Sequence, residues 1–324
     1  MNNKYVTAKD IAVILDGMVI GNPDERIYGI TLGSERKKGY LTYVNDNFKY
    51  EKLKELSASA VILPISMIPC DNKTYIMTPY SMYEKLYLVV EYLIESGLYS
   101  QSVNNTVISD TAKIDQQTSI GKGCVIGDNT LIEPGVRIGD NTVIGKNCVI
   151  KSNAVITHDC EIGNNVTIDN CVVIGKESIE MCCDNEILHR IPSVGKVIIG
   201  DNVEIDANAV IERGTIGNTV IGNGTKIDSL VRIGHEAKVG ENCKIISLTA
   251  IAGWAEIGSN SVIYGQCGVS NMVKVGEYST VMARSGVTKS IPDYSIVSGF
   301  PAQNHYDELK LQAFLRKIFK NKRR

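Results

Sequence analysis

His235 and Gly253 stand eighteen residues apart, and their types suit a proton acceptor and a backbone N–H donor. Histidine, with an ordinary pKa of about 6.5, can take a proton from an attacking amine at neutral pH. A glycine leaves its backbone N–H open to a ligand, and that group can stabilise the oxyanion of a tetrahedral intermediate. The two residues are therefore candidates for a general base and an oxyanion donor. The alternative is that both are ordinary corner residues of a surface coil.

A six-residue repeat predicts the elements that would bring this pair together. Ile or Val occupies every sixth position from 108 to 174, from 199 to 211 and from 221 to 287, twenty-seven positions in all. This period matches neither an α-helix nor an alternating hairpin strand. A parallel β-helix of about nine turns fits, because three six-residue sides form one turn with the branched side chains inward. Eighteen residues make one turn, so Gly253 should lie directly above His235, about 4.8 Å along the axis.

The repeat is interrupted twice. Nineteen extra residues form an inserted loop at 178–196, and four more follow Ile211. Inserted loops on a solenoid often contribute binding residues. The longer loop contains Cys182, Cys183 and His189, but their spacing fits no zinc pattern, and we expect no metal site.

Residues 1–100, which precede the repeat, do not show the six-residue period. Apolar residues recur at helical spacing in 7–16 and 81–96, whereas 60–63 and 74–77 resemble short strands. Residues 1–100 are therefore predicted to form a small α/β domain.

The β-helix is expected to occupy 101–291, and 292–324 to form an extension with one helix. The apolar residues of that helix are Leu309, Leu311, Phe314, Leu315 and Ile318. Its end is basic, which suits either an acidic partner or a solubilising tail.

Composition excludes several classes of protein. Apolar residues make up 44% and charged residues 22%, as in ordinary globular proteins, and the net charge of −2 does not indicate nucleic-acid binding. No apolar run is long enough to span a membrane, and the N-terminus resembles no signal peptide. Nine cysteines in such a chain predict reduced thiols and a cytoplasmic location.

Three segments resemble one acyltransferase family. GYLTYVNDNFKYEKL (39–53), RIPSVGKVIIGDNVEIDANAVIERG (190–214) and IDSLVRIGHEAKVGENC (227–243) are similar to segments of the UDP-3-O-(3-hydroxyacyl)glucosamine N-acyltransferases, which make a lipid A precursor. The predicted order of domains is also similar to that of this family: a small N-terminal domain, a long hexapeptide coil and a C-terminal helix. The resemblance implies a left-handed coil, a homotrimer with active sites between neighbouring prisms and an acyl carrier protein as donor. It implies no tightly bound cofactor.

The resemblance also assigns roles in acyl transfer. It makes His235 the base, Gly253 the oxyanion donor and Asp228 an acid that supports the histidine, although Asp228 could equally be a solvated corner residue.

The same resemblance places a uracil pocket in the first domain. Tyr43, Asn47 and Tyr50 match that pocket if one inserted residue near Asp46 is allowed. Two aromatic rings can sandwich a pyrimidine, but these tyrosines could instead pack the small domain.

His158 lies in the same phase of the repeat as His235, three turns away or roughly 14 Å. That distance is too large for a shared bond-forming step. A structural role is favoured over sugar binding.

The chain departs from the family in several places. Met272 stands where the family has a second active-site histidine, and its neighbour Asn271 could supply a hydrogen bond there. Gly286 and Thr288 stand where methionines line the family's acyl channel, and the bulky Trp254 replaces a small residue. GKESIEM stands in place of a Phe-Gly-aromatic motif. GVTKSIPDYSIVSGFPAQ resembles the end of acetyl-CoA-dependent sugar acetyltransferases.

Three functions follow from these features. The first is N-acyl transfer from 3-hydroxyacyl carrier protein to a UDP-linked amino sugar. The second keeps the mechanism but uses acetyl-CoA and a nucleotide-linked amino sugar for surface polysaccharide. The third is an inactive prism that only binds sugar or assembles, which Met272 favours and the intact His235 and Gly253 disfavour.

We expect His235→Ala to leave the oligomer intact and to lower the turnover rate by roughly 10²–10⁴-fold, the usual contribution of a general base. Size-exclusion chromatography checks the assembly, and a steady-state assay checks the rate. A variant that turns over as fast as the wild type would remove His235 from the mechanism.

Overall fold

The computed structural model describes residues 4–35, 37–45, 48–70, 73–99 and 105–321. The chain forms two compact units. The first unit consists of Met1–Ser102, Ser178–Val194 and Thr215–Gly217. The second unit consists of Val103–Glu177, Gly195–Gly214 and Asn218–Arg324.

The second unit is a parallel β-helix with three sheets, which we call its first, second and third faces. The first face contains Val107–Ile108, Val125–Ile126, Val143–Ile144, Glu161–Ile162, Val197–Ile199, Thr219–Ile221, Lys238–Val239, Glu256–Ile257 and Lys274–Val275. The second contains Lys113–Ile114, Leu131–Ile132, Val149–Ile150, Thr167–Ile168, Glu204–Ile205, Lys226–Ile227, Lys244–Ile245, Val262–Ile263, Thr280–Val281, Ile296–Ser298 and the antiparallel Gln303–Asn304. The third contains Ser119–Ile120, Arg137–Ile138, Val155–Ile156, Val173–Lys176, Val210–Glu212, Arg232–Ile233, Ala250–Ile251, Gly268–Val269 and Gly286–Val287.

Inward aliphatic side chains hold one turn in register with the next. Ile126 pairs with Ile144 and Ile144 with Ile162, and all three are at most 3% exposed. Burial of such a side chain contributes about 1.5–3 kcal/mol. A slip of one residue would turn the whole set towards solvent, so the register is strongly specified.

Each corner of the coil needs a residue with positive φ. In the lower turns this residue is usually asparagine, which tolerates the left-handed region. Some of these amides are linked along the axis: Asn129 Nδ2 donates to Asn147 Oδ1 at 3.4 Å, and Asn147 Nδ2 donates to Asn165 Oδ1 at 3.3 Å. The corners therefore add a polar ladder to the apolar core.

The upper turns place larger side chains at these same corners. From residue 230 onward the residues with positive φ include Leu230, Glu236, Leu248, Trp254, Gln266, Met272, Tyr278, Arg284 and Tyr294. Such residues pay about 1–2 kcal/mol each in the left-handed region. The upper half of the coil therefore keeps larger side chains at its corners in spite of this conformational cost.

The first unit contains a four-stranded mixed sheet. Its strands lie in the order Met18–Ile20, Thr74–Thr78, Ala60–Pro64 and Leu41–Tyr43, with only the first pair antiparallel. Its other elements are the strands Val6–Thr7, Arg26–Ile27, Met181–Asp184 and Ile187–Arg190 and the helices Ala8–Ile14, Tyr50–Leu53 and Met82–Glu95. Thr7 and Asp10 form a capping box that begins the helix Ala8–Ile14.

The chain continues after the coil into the helix His305–Asn321. Six of its apolar side chains are between 37% and 63% exposed: Tyr306, Leu309, Leu311, Phe314, Leu315 and Ile318. Within the described ranges, every helix is too short or too polar to cross a membrane. The predicted left-handed parallel β-helix, with a small α/β unit before it and a helix after it, is confirmed.

Candidate active site

The candidate catalytic residues share one corner of the β-helix. This corner holds the residue two positions after each inward side chain of the third face, namely Lys122, Asp140, His158, Lys176, Arg213, His235, Gly253, Asn271 and Lys289. Ile211 pairs with Ile233 and Ile233 with Ile251, so neighbouring members of the column are one turn apart. Gly253 therefore lies one turn above His235, as the period predicted.

His235 is paired with a carboxylate from the adjacent residue. Its Nδ1 lies 2.7 Å from Oε2 of Glu236, and the two side chains are 13% and 1% exposed. An ionised carboxylate only accepts hydrogen bonds, so Nδ1 carries the proton in this contact. This arrangement prepares Nε2 to act as the base.

Gly253 and His235 border the same small space. A Cβ added to Gly253 would lie 2.5 Å from Nε2 and 2.6 Å from Cε1 of His235. Only glycine therefore leaves room for the imidazole at this corner. The backbone of this turn is held by Trp254, whose N–H donates to the carbonyl oxygen of His235 at 2.9 Å.

Among the described residues the N–H of Gly253 has no acceptor, and the same is true of Asp140, His158 and Asn271 in this column. At Lys122 and Lys146 this N–H donates to a side chain one turn above, Asp140 at 2.8 Å and Asn164 at 2.9 Å. At Gly253 no acceptor among the described residues takes it. The N–H is thus available to an oxyanion beside the Nε2 of His235.

Asp228 does not contact His235 within the chain. It lies at the corner after the second face, where Ser229 N–H donates to it at 2.6 Å and Ser247 donates through both its N–H, at 3.1 Å, and its hydroxyl. The Ser247 hydroxyl holds the pKa of the Asp228 carboxyl below its usual range. The acid in contact with Nδ1 of His235 is Glu236. The sequence contains one indication of this pairing: each of the two corner histidines, His158 and His235, is followed directly by an acidic residue.

His158 repeats the local arrangement of His235 with a different outcome. Its Nδ1 lies 2.7 Å from Asp159, but its Nε2 lies 2.7 Å from Nη1 of Arg213. Arg213 is buried and also donates from Nε to the carbonyl oxygen of Gly195 at 2.9 Å. Nη1 of Arg213 also lies 3.1 Å from Nδ1, so the guanidinium contacts both nitrogens of the His158 ring. This geometry supports the structural role.

Asn271 and Met272 lie two turns above His235, and both are exposed. The Met272 N–H donates to the carbonyl oxygen of Gly253 at 3.3 Å, and its φ is 59°. Met272 thus contributes a backbone contact at the site, and its thioether cannot take the role of a titrating group.

A groove of about 360 Å³ begins beside Gly253 on the outer surface of the third face. Its floor is made by Ala250, Gly268 and Gly286, which pair with one another in successive strands. Its side walls include Gln266 and Arg284, whose Nε donates to the Gln266 amide oxygen at 2.7 Å. Gly286 and Thr288, which stand where methionines line the related family's acyl channel, both lie in this groove.

The predicted uracil-binding residues belong to the first unit. Tyr43 ends the strand Leu41–Tyr43, and Tyr50 begins the helix Tyr50–Leu53 and is 43% exposed. Asn47 lies outside the described residues.

The longer insertion forms the hairpin Met181–Asp184 with Ile187–Arg190. Cys182 is buried opposite His189, whereas Cys183 is exposed on the other side of the strand. Neighbouring strand residues point to opposite faces, so these two cysteines cannot converge on one ion. His189 stacks on Tyr87 with ring centroids 4.3 Å apart, which accounts for its position.

Comparison with known sequences identifies related transferases. The family model "Bacterial transferase hexapeptide (six repeats)" matches 105–140, 141–176 and 218–245. A UDP-3-O-acylglucosamine N-acyltransferase of Dechloromonas aromatica is 43% identical over 72% of this chain and 69% of its own length. One from Coxiella burnetii is 36% identical over 71% of this chain and 70% of its own. One from Gloeobacter violaceus is 55% identical, but the match covers only 44% of this chain and 40% of that protein.

Solved structures give a similar result. LpxA from Bacteroides fragilis, a UDP-N-acetylglucosamine acyltransferase, is 30% identical with a TM-score of 0.50 over 66% of this chain and 81% of its own. The UDP-N-acetylglucosamine acyltransferase of Campylobacter jejuni is 25% identical with a TM-score of 0.51 over 61% of this chain and 73% of its own.

We expect Glu236→Gln to lower the turnover rate by about 10²-fold or more, because loss of the charge removes the group that fixes the Nδ1 proton. Asp228→Asn is the matched control, since Asp228 bonds only to Ser229 and Ser247 among the contacts described. It should stay within several-fold of the wild-type rate in the same steady-state assay. An equal loss in both variants would mean that Asp228 also acts on the histidine.

Proposed function

The chain belongs to the UDP-3-O-acylglucosamine N-acyltransferase family, and from this premise we propose that it transfers a 3-hydroxyacyl group from acyl carrier protein to the amine of a UDP-linked, 3-O-acylated glucosamine. The product would be a lipid A precursor. The observation that best supports the proposal is the shared space between Nε2 of His235 and the backbone of Gly253.

The reaction uses these two residues in sequence. Nε2 of His235 takes a proton as the sugar amine adds to the thioester carbonyl carbon, and Glu236 stabilises the imidazolium through Nδ1. The new C–N bond leaves an oxyanion, which the N–H of Gly253 stabilises. Collapse of the intermediate breaks the C–S bond, and the imidazolium returns its proton to the departing thiolate. No tightly bound cofactor is needed.

An acetyl-CoA-dependent acetyltransferase acting on a nucleotide-linked amino sugar is the second candidate. It is supported by Met272, which stands where the family has a second histidine, and by the acetyltransferase-like segment GVTKSIPDYSIVSGFPAQ at 286–303. The mechanism at His235 would be unchanged, so the two candidates differ only in donor and acceptor.

The helix His305–Asn321 is a suitable contact for an acidic carrier protein. Its exposed apolar residues are accompanied by Lys310, Arg316 and Lys317. Positive charge steers the association of an acidic partner, and exposed apolar side chains provide area to bury.

The uridine is proposed to bind Tyr43, Asn47 and Tyr50 in the first unit. We place the reaction in the cytoplasm, in keeping with nine free thiols.

A comparison of donors and acceptors tests the proposal. UDP-3-O-acylglucosamine and a UDP-amino sugar without the 3-O-acyl chain are each offered with 3-hydroxyacyl carrier protein or acetyl-CoA, and the product masses are measured. We expect turnover only with the carrier protein and the acylated sugar. Turnover with acetyl-CoA on the simple amino sugar would replace the proposal by the second candidate. His235→Ala is the inactive control.

We also propose a homotrimer, in which the site at the third-face corner of one chain is completed by a neighbour. Sedimentation equilibrium should give three times the chain mass of 35.4 kDa. A mass equal to one chain would contradict this proposal without affecting the assignment of His235.

A further inference from the structure

Glu236 carries a carboxylate at a corner that favours a different side chain. Ala237 N–H donates to the carbonyl oxygen of Gly234 at 3.3 Å, so His235 and Glu236 are the two central residues of a tight turn. The second of them has a φ of 52°, a conformation for which glycine or asparagine is the usual choice. An equivalent turn lower in the coil has Asn208 at this position. The acid is therefore kept here in spite of the backbone.

The same carboxylate is buried against the candidate base. The Glu236 side chain is 1% exposed, and its Oε2 lies 2.7 Å from Nδ1 of His235. A buried carboxylate is costly unless a cation or hydrogen-bond donors balance its charge. An imidazolium is such a cation. Glu236 therefore stabilises most strongly the state in which His235 has taken a proton.

Amines and hydroxyls differ in how much they need this stabilisation. A neutral amine attacks a thioester carbonyl with its own lone pair, and a base can remove its proton during or after formation of the C–N bond. A hydroxyl is a weak nucleophile and needs an adjacent base that takes its proton as the C–O bond forms. The imidazolium must then be present in the transition state itself. A carboxylate behind the imidazole therefore favours attack by a hydroxyl more than attack by an amine.

We propose that this site also forms esters: it transfers the acyl group of its thioester donor to a ring hydroxyl of a nucleotide-linked sugar whose amine is already acylated. The inference rests on the proposed function for the donor and for the nucleotide-linked sugar. The hydroxyl oxygen bonds to the carbonyl carbon while its proton passes to the imidazole of His235, and the N–H of Gly253 stabilises the oxyanion. The C–S bond then breaks and the imidazolium gives the proton to the thiolate, so that an ester and a thiol are released.

Product analysis with two acceptors tests this proposal. UDP-N-acetylglucosamine offers hydroxyls without a free amine, and UDP-3-O-acylglucosamine offers the amine. Each acceptor is incubated with 3-hydroxyacyl carrier protein and, in parallel, with acetyl-CoA. From the first acceptor we expect a product one acyl group heavier, whose new bond is cleaved by neutral hydroxylamine as an ester is and an amide is not. Its rate of formation should exceed that of His235→Ala by about 10²-fold or more, the usual contribution of a general base.

Two variants separate the role of the carboxylate in ester formation from its role in amide formation. Glu236→Gln removes the charge with little change of shape, and Glu236→Asn removes it with the side chain that this corner favours. Both should lower the rate of ester formation by about tenfold more than the rate of amide formation, because only the ester reaction requires the imidazolium in its transition state. The ratio of the two rates does not depend on the folded fraction of a preparation.

Asp159→Asn is the matched control, because Asp159 makes the same 2.7 Å contact with Nδ1 of His158, three turns away. It should leave the ratio of the two rates unchanged. Absence of an ester with either donor, an equal loss of both activities in the Glu236 variants, or the same change of ratio in Asp159→Asn would overturn the proposal. Amide formation without an ester contradicts only this inference, whereas ester formation without an amide contradicts only the proposed reaction.

Discussion

Everything at the candidate site depends on the stacking of inward isoleucines at one rung per turn. Each strand of a face must lie about 4.8 Å above the last because its backbone groups bond to it. The branched side chains fill the interior, so the register cannot slip without exposing them. Residues eighteen positions apart are therefore held one above the other by the core itself. His235 and Gly253 need no local device to remain adjacent, and neither do Ala250, Gly268 and Gly286.

The corners are the part of the coil that is free to vary. Each needs a positive φ, and in the lower turns asparagine meets this need at little cost. In the upper turns Glu236, Trp254 and Met272 take the same backbone conformation in three successive turns above Arg213. Strain of this kind persists where the side chain is used, and Glu236 is such a case because its carboxylate holds the imidazole of His235.

The two corner histidines show how one local pattern yields two roles. Each is followed by an acid whose carboxylate oxygen lies 2.7 Å from the Nδ1 of the histidine. The residue above His235 is Gly253, where an added Cβ would lie 2.5 Å from Nε2. The Nε2 of His158 instead meets Arg213, whose burial lowers the pKa of its guanidinium without removing its charge at neutral pH. The neighbour along the column thus differs between the two histidines, a buried cation at His158 and a glycine at His235.

The sequence by itself determined the coil, its number of turns and the vertical order of His158, His235, Gly253 and Asn271. It could do so because these features follow from a period that fixes backbone positions. The tertiary structure alone decided where the side chains go. It paired Glu236 with His235, directed Asp228 to Ser247 and placed Phe300 on Gly286. These contacts depend on side-chain rotamers and on a segment beyond the repeat, and no period along the chain encodes either of them.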